Sequence, residues 1–163
     1  MGTEAQLGDK VTDRITGFEG IVTGEFITPF NVRRANVQPT GVTKDGALKE
    51  GYWFDVTTLT VIKEKVVSAE PLVKHEFNFL DKVKDKVTGF EGTITGIINH
   101  LNGCVKVATV PLTLKDGLPQ DNVDFSVQRL TLVKPAVPVP PVRTGGPMDR
   151  SFKPDTPRMG GRL

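Results

Sequence analysis

One cysteine, one tryptophan, one tyrosine and two histidines in 163 residues leave little of the usual equipment for chemistry. A single thiol, Cys104, excludes an internal disulfide and suits a reducing cytoplasm. It is expected as a small buried apolar residue, because a reactive thiol needs a histidine or helix start beside it. His75 and His100 stand at unrelated spacings from each other and from Cys104, which is not a metal-ligand pattern. No Gly-x-Ser-x-Gly elbow and no phosphate loop occurs. No apolar run approaches the ~20 residues of a membrane span. Residues 1–6 lack the basic-then-apolar order of a secretion signal. The expectation is a protein without catalytic residues, metal, cofactor or small-molecule substrate, and away from membranes.

Charge of one sign is also scarce: 21 Lys and Arg against 19 Asp and Glu give a net +2. That balance is uneven along the chain. Lys134, Arg143, Arg150, Lys153, Arg158 and Arg162 face only Asp149 and Asp155, so the last 30 residues carry about +4. The remainder is slightly acidic, about −2.

What the chain does have is a repeat. Asp9-Lys10-Val11-Thr12-Asp13-Arg14-Ile15-Thr16-Gly17-Phe18-Glu19-Gly20-Ile21-Val22-Thr23-Gly24 returns, without a gap and 72 residues later, from Asp81 to Gly96. About two thirds of the positions are identical, which marks a duplication. Gln38-Pro39 matches Val110-Pro111 at the same offset. After one deletion Lys44-Asp45-Gly46 matches Lys115-Asp116-Gly117, Phe54 matches Phe125, and Leu59-Thr60-Val61 matches Leu130-Thr131-Leu132. Two units are too few for a solenoid. The expected architecture is all-β: two closed small barrels in tandem, 1–62 and 80–133, joined by a linker, 63–79, and followed by an extended arm, 134–163.

Each unit reads as five short strands. In the first these are Lys10–Asp13, Ile21–Ile27, Val32–Val37, Tyr52–Asp55 and Leu59–Ile62, with no helical period. Glycines 17, 20 and 24 permit a positive-φ turn and a bulge. Asn102-Gly103 is the strongest hairpin signal, and its counterpart reads Pro29-Phe30-Asn31. In the linker, Lys63–Val67 is expected to continue a strand and a short helical turn to fall within 68–78. Phe18 and Phe90 are expected as core or turn-packing residues. Asp9 and Asp13 are expected on the solvent face with Lys10 and Arg14, as are Asp81 and Asp85, in ordinary cross-strand charge pairs.

From Lys134 the character changes. Pro135-Ala136-Val137-Pro138-Val139-Pro140-Pro141-Val142 suits polyproline II, and the Gly-, Pro- and Arg-rich remainder to Leu163 suits disorder in isolation. Extended, 30 residues reach about 90 Å.

The pattern Asp-Lys-Val-x-Asp-x-x-Thr-Gly-Phe-x-Gly-x-x-Thr-Gly, with His100-Leu101-Asn102-Gly103-Cys104 in the second copy, resembles a small domain of tailed bacteriophages. Val37-Gln38-Pro39, Lys115-Asp116-Gly117 and Trp53-Phe54-Asp55 continue the likeness. Each copy keeps part of it: the first lacks Asn-Gly-Cys, and the second has Asp124-Phe125 for Trp-Phe-Asp. It also looks like an SH3-like barrel of the KOW type. The resemblance implies a phage protein and a small barrel, and it brings no catalytic residue.

The function expected is a virion structural protein: a capsid decoration or cement protein on the capsid exterior, made in the bacterial cytoplasm. Its partners would be the major capsid protein and further copies of itself. Arg143, Arg150, Arg158 and Arg162 would meet an acidic capsid surface, with Phe152, Met159 and Leu163, and also Val139 and Val142, as apolar anchors. The alternatives are a KOW-like protein binding nucleic acid or a host factor, and an anti-defence protein binding a nucleotide signal. Against nucleic acid stand acidic repeats and few aromatics; Arg33-Arg34 beside Phe30 is the best basic patch, echoed only by Lys106.

Overall fold

A computed structural model describes residues 2–136. Over that span the protein is all-β and antiparallel, with no helix of seven or more residues. The first half contains β1 (Lys10–Asp13), β2 (Glu19–Ile27), β3 (Arg33–Gln38), β4 (Tyr52–Asp55), a 3₁₀ turn (Val56–Thr58) and β5 (Leu59–Lys63). The second repeats the series as β6 (Lys82–Asp85), β7 (Glu91–His100), β8 (Val105–Pro111), β9 (Val123–Ser126), a 3₁₀ turn (Val127–Arg129) and β10 (Leu130–Lys134). Strand starts keep the offset of 72 up to β8 and 71 from β9, so the deletion falls in the loop after β3.

Hydrogen bonding orders each half as β5-β1-β2-β3-β4, and correspondingly β10-β6-β7-β8-β9. Thr23 and Thr95 sit at register shifts in the β2–β3 and β7–β8 ladders, next to Gly24 and Gly96. These are the bulges that the glycines permit. Each half encloses its own apolar cluster, built on equivalent positions: Val11 and Val83, Val22 and Ile94, Ala35 and Val107, Val56 and Val127, Leu59 and Leu130. Burying one such side chain is worth about 1.5–3 kcal/mol.

The halves are not separate sheets. β2 pairs with β7, so one ten-stranded sheet runs through both, and among the described residues it does not close. Closure of each unit, expected from the sequence, is therefore corrected. The chain between β4 and β5, and between β9 and β10, is a 3₁₀ turn and not a ladder.

The linker differs from expectation as well. β5 ends at Lys63, Lys65 turns the chain at φ 47°, and residues 68–78 contain no helical turn. The backbone bonds of this stretch go outward instead. The amides of Val67, Glu70 and Val73 donate to the carbonyls of Gly8, Leu101 and Gly103 at 3.2, 2.9 and 2.9 Å. External partners on both halves satisfy what a helix would have satisfied internally. Gly8 and Gly103 have φ of 89° and 86°, and a Cβ on either would strike the carbonyl oxygen of Val67 or Pro71.

Two further expectations are corrected. Cys104 is exposed, because the strand alternation turns Val105 and Val107 inward. The second unit extends past 133, since β10 includes Lys134 and Ala136 is hydrogen-bonded to Asp81.

Candidate interaction surfaces

The duplicated aspartates are buried, against expectation: Asp9, Asp13, Asp81 and Asp85 are all at most 3 % exposed. Positions 9, 11 and 13 share one parity, so both carboxylates lie on the same face as Val11. Backbone donors make this burial affordable. The Asp9 carboxylate accepts from the amides of Gln6 and Lys65, each at 2.9 Å. The Asp81 carboxylate accepts from Asn78 and Ala136, each at 2.8 Å. Each therefore ties the chain entering a half to the chain leaving it. The outer face carries charge pairs other than the expected ones, Lys10–Glu19 at 4.0 Å and Lys82–Glu91 at 3.6 Å.

Asp13 and Asp85 hold the turn that follows. The amide and hydroxyl of Thr16 donate to Asp13 at 2.9 and 2.6 Å, and those of Thr88 to Asp85 at 3.0 and 2.6 Å. Asp85 also receives a bidentate pair from Arg129, with Nε at 2.9 Å and Nη2 at 2.8 Å. In the first half Thr58 stands where Arg129 would be. Both carboxyls are held below the usual carboxylate range, Asp85 far below by the Arg129 hydrogen bonds and Asp13 by the Thr16 hydroxyl. With their oxygens committed to local donors, these groups serve as clasps rather than as acids or bases.

Polar side chains also bind the junction. Glu25 accepts from Asn99 Nδ2 at 2.9 Å across the β2–β7 ladder and from Arg33 Nη2 at 2.7 Å within its own half. Arg33 Nη1 meets Glu4 at 2.8 Å. The basic patch read from Arg33-Arg34 is thus largely spent: Arg33 is held by two carboxylates, and Arg34 Nη2 donates to the Trp53 carbonyl at 3.3 Å. A cavity of about 570 Å³ beside this network is lined by Glu25, Arg33, Lys65 and Glu70 among others. An anionic nucleotide there would meet two carboxylates as well as two cations. Elsewhere, His100 lies at the hairpin, where burial and Lys106 hold its pKa below the ordinary value.

The most distinctive surface is aromatic and belongs to the first half alone. Phe18 packs edge-on to Tyr52 at 5.6 Å and tilted against Phe54 at 5.4 Å. With Thr16, Gly17 and Trp53 these residues line an open cavity of about 510 Å³, while the Trp53 ring itself lies on the opposite face of β4. Tyr52 is 53 % exposed and Trp53 39 % exposed. In the second half Val123 and Asp124 replace Tyr52 and Trp53, and only the Phe90–Phe125 pair remains, at 5.2 Å. The core of each half therefore keeps one aromatic pair to which Tyr52 is surplus, whereas Trp53 packs edge-on against Phe26 at 6.5 Å, beside the β2–β7 junction. Phe18 and Phe90 do pack against their cores as expected. The aromatic face was not foreseen, although the run Tyr52-Trp53-Phe54 against Val123-Asp124-Phe125 was a signal for it.

Arg143, Arg150, Phe152, Arg158, Met159, Arg162 and Leu163, the arm residues expected to bind a partner, lie outside the described residues, as do Val139 and Val142. Among the described residues no three His, Cys, Asp or Glu side chains gather so as to hold a metal ion. No helix among them is long and apolar enough to cross a membrane. No protein-family model, no curated protein and no solved structure matches the chain.

Proposed function

We propose that the chain is a non-enzymatic structural protein of a bacteriophage virion, which decorates the capsid exterior and cements neighbouring subunits. On this reading each half is a small, open SH3-like barrel, one of two in tandem. Five short antiparallel strands around one apolar cluster in each half support it. The observation that carries the functional reading is the join between the halves and the point where the arm leaves. The β2–β7 ladder makes the halves one sheet, and Asp81 fixes Ala136 at the root of the basic arm.

The mechanism is cross-linking. The β-module docks on one capsid subunit and the arm reaches another. Many copies then add small interface energies through effective concentration. A proline-rich arm loses less backbone freedom on docking than a flexible one, because its backbone is already restricted. Arg143, Arg150, Arg158 and Arg162 supply charge to an acidic capsid surface, with Phe152, Met159 and Leu163 as apolar anchors.

Quantitative mass spectrometry of purified particles tests this. The protein is expected at a copy number comparable to that of the major capsid protein. Its absence from particles, with abundance only in infected-cell lysate, contradicts the reading and favours a host-directed role.

A further inference from the structure

The surplus aromatic face has no occupant within the described fold, yet the same chain contains the chemistry that such faces recognise. Phe18, Tyr52 and Phe54 line an open groove beside the β1–β2 turn. Pro138-Val139-Pro140-Pro141-Val142-Arg143 follows the last described residue by two positions. Polyproline II has three residues per turn, so Pro138 and Pro141 fall on one edge of that helix. Pro-rich segments of this spacing dock into aromatic-lined grooves because their backbone is ordered before binding. Charge agrees: Glu50, exposed, stands two residues before Tyr52, while Arg143 stands two residues past Pro141.

Reach decides whose segment it is. Ala136 is fixed at Asp81, just before β6, and β6 pairs with β7 from Lys82↔Thr93. Thr93 lies on one side of the Phe26↔Ile98 pair that centres the junction, and Phe18 lies on the other. Counted along β7 and β2, the two ends are 13 residues apart, about 43 Å at 3.3 Å per residue. From Ala136 to Pro141 the chain spans only about 16 Å at 3.1 Å per residue. Strand curvature that halved the distance would still leave the segment short of its own groove.

We propose that the aromatic face of the first half binds the segment 138–143 of a second copy of the chain. Copies would then associate head to tail, which gives open chains unless the geometry closes reciprocally. The proposed contact does not use residues 144–163, so this inference does not depend on the capsid reading.

Gly17, Phe18 and Phe54 line the groove, so their amide resonances report directly on occupancy. The test uses the full chain in two regimes. At micromolar concentration it is titrated with a synthetic peptide of residues 135–145. At high concentration its mass is followed by sedimentation. Expected are a saturable shift of the Gly17, Phe18 and Phe54 amide resonances below about 1 mM peptide and a mass that rises with concentration. Pro138→Ala with Pro141→Ala should weaken both at least tenfold. These substitutions lie outside the described strands and both core clusters. Tyr52→Val, which installs the residue type of Val123, should weaken both with an unchanged circular-dichroism spectrum. A flat titration, a monomer at every concentration, or equal binding by the double-alanine peptide overturns the proposal. A response to single-stranded oligonucleotide but not to peptide overturns it in favour of nucleic acid.

Discussion

Phe26 and Ile98 are equivalent residues of the two halves, and they face each other across the β2–β7 ladder. The rest of the register is symmetric about them. Glu25↔Asn99 and Ile27↔Ile97 exchange places under the offset of 72. The junction therefore has the form of an isologous contact, in which one strand pairs with its own copy, made here inside a single chain.

That contact is reinforced by a polar network with a measurable cost of disruption. Glu25→Ala removes the acceptor shared by Arg33 and Asn99. Leaving two part-buried donors without it should cost about 1–3 kcal/mol in denaturant unfolding. Adding Asn99→Ala to Glu25→Ala should cost less than the sum of the two single changes. Strict additivity would show that the hydrogen bond across the junction contributes nothing.

The linker should loosen when its glycine seat is filled. Gly103→Ala places a Cβ against the Pro71 carbonyl at 2.5 Å in addition to the strain of φ 86°. Gly46→Ala meets only the strain, since nothing lies within 4 Å of its added Cβ. A non-glycine residue held at positive φ costs about 1–3 kcal/mol, so Gly103→Ala should lose more stability than Gly46→Ala. It should also speed hydrogen exchange at the amides of Glu70 and Val73. Equal losses would mean that the linker does not rest on the hairpin.

Acid should separate the two halves. A carboxyl whose folded pKa is depressed contributes stability above its unfolded value, near pH 4, and loses that contribution as pH falls toward the folded value. Arg129 extends this window downward for Asp85, and the first half has Thr58 in its place. Arg129→Thr should therefore move the acid-unfolding midpoint of the second half to higher pH, read from strand circular dichroism or amide signals. An unmoved midpoint would mean that the ion pair does not act through proton linkage.

The arm's root should depend on one buried carboxylate. Asp81→Ala leaves the amides of Asn78 and Ala136 without their acceptor, at about 1–3 kcal/mol for each donor left unpaired. Exchange at Ala136 should accelerate more than exchange at Val83, in the strand that follows. Uniform acceleration would place the effect in global unfolding and not in the anchor.

Much of the fold was legible because duplication writes each signal twice. The strands, the bulges at Gly24 and Gly96, the hairpin at Gly103 and the shift from 72 to 71 all follow from matched residues. The pairing of β2 with β7 was not legible, since Gly24–Ile27 alternates like any strand and nothing local says that its far edge meets a copy. Asp9 and Asp13 were misplaced because their charge was weighed above their parity with Val11. Only the backbone path shows the amides of Lys65 and Ala136 waiting for a carboxylate. The aromatic face was hidden in the same way, since Phe18 reaches Tyr52 and Phe54 only through the fold.

For the proposed capsid role, the most direct measurement compares the full chain with one ending at Ala136 for binding to purified bacteriophage heads. That cut spares β10 and the Asp81 anchor, both of which a cut at 134 would damage. The account predicts saturable binding by the full chain and at least a tenfold loss of affinity on truncation, with the fold of 2–136 unchanged by circular dichroism. Equal binding by both forms, or no binding by either, would contradict it.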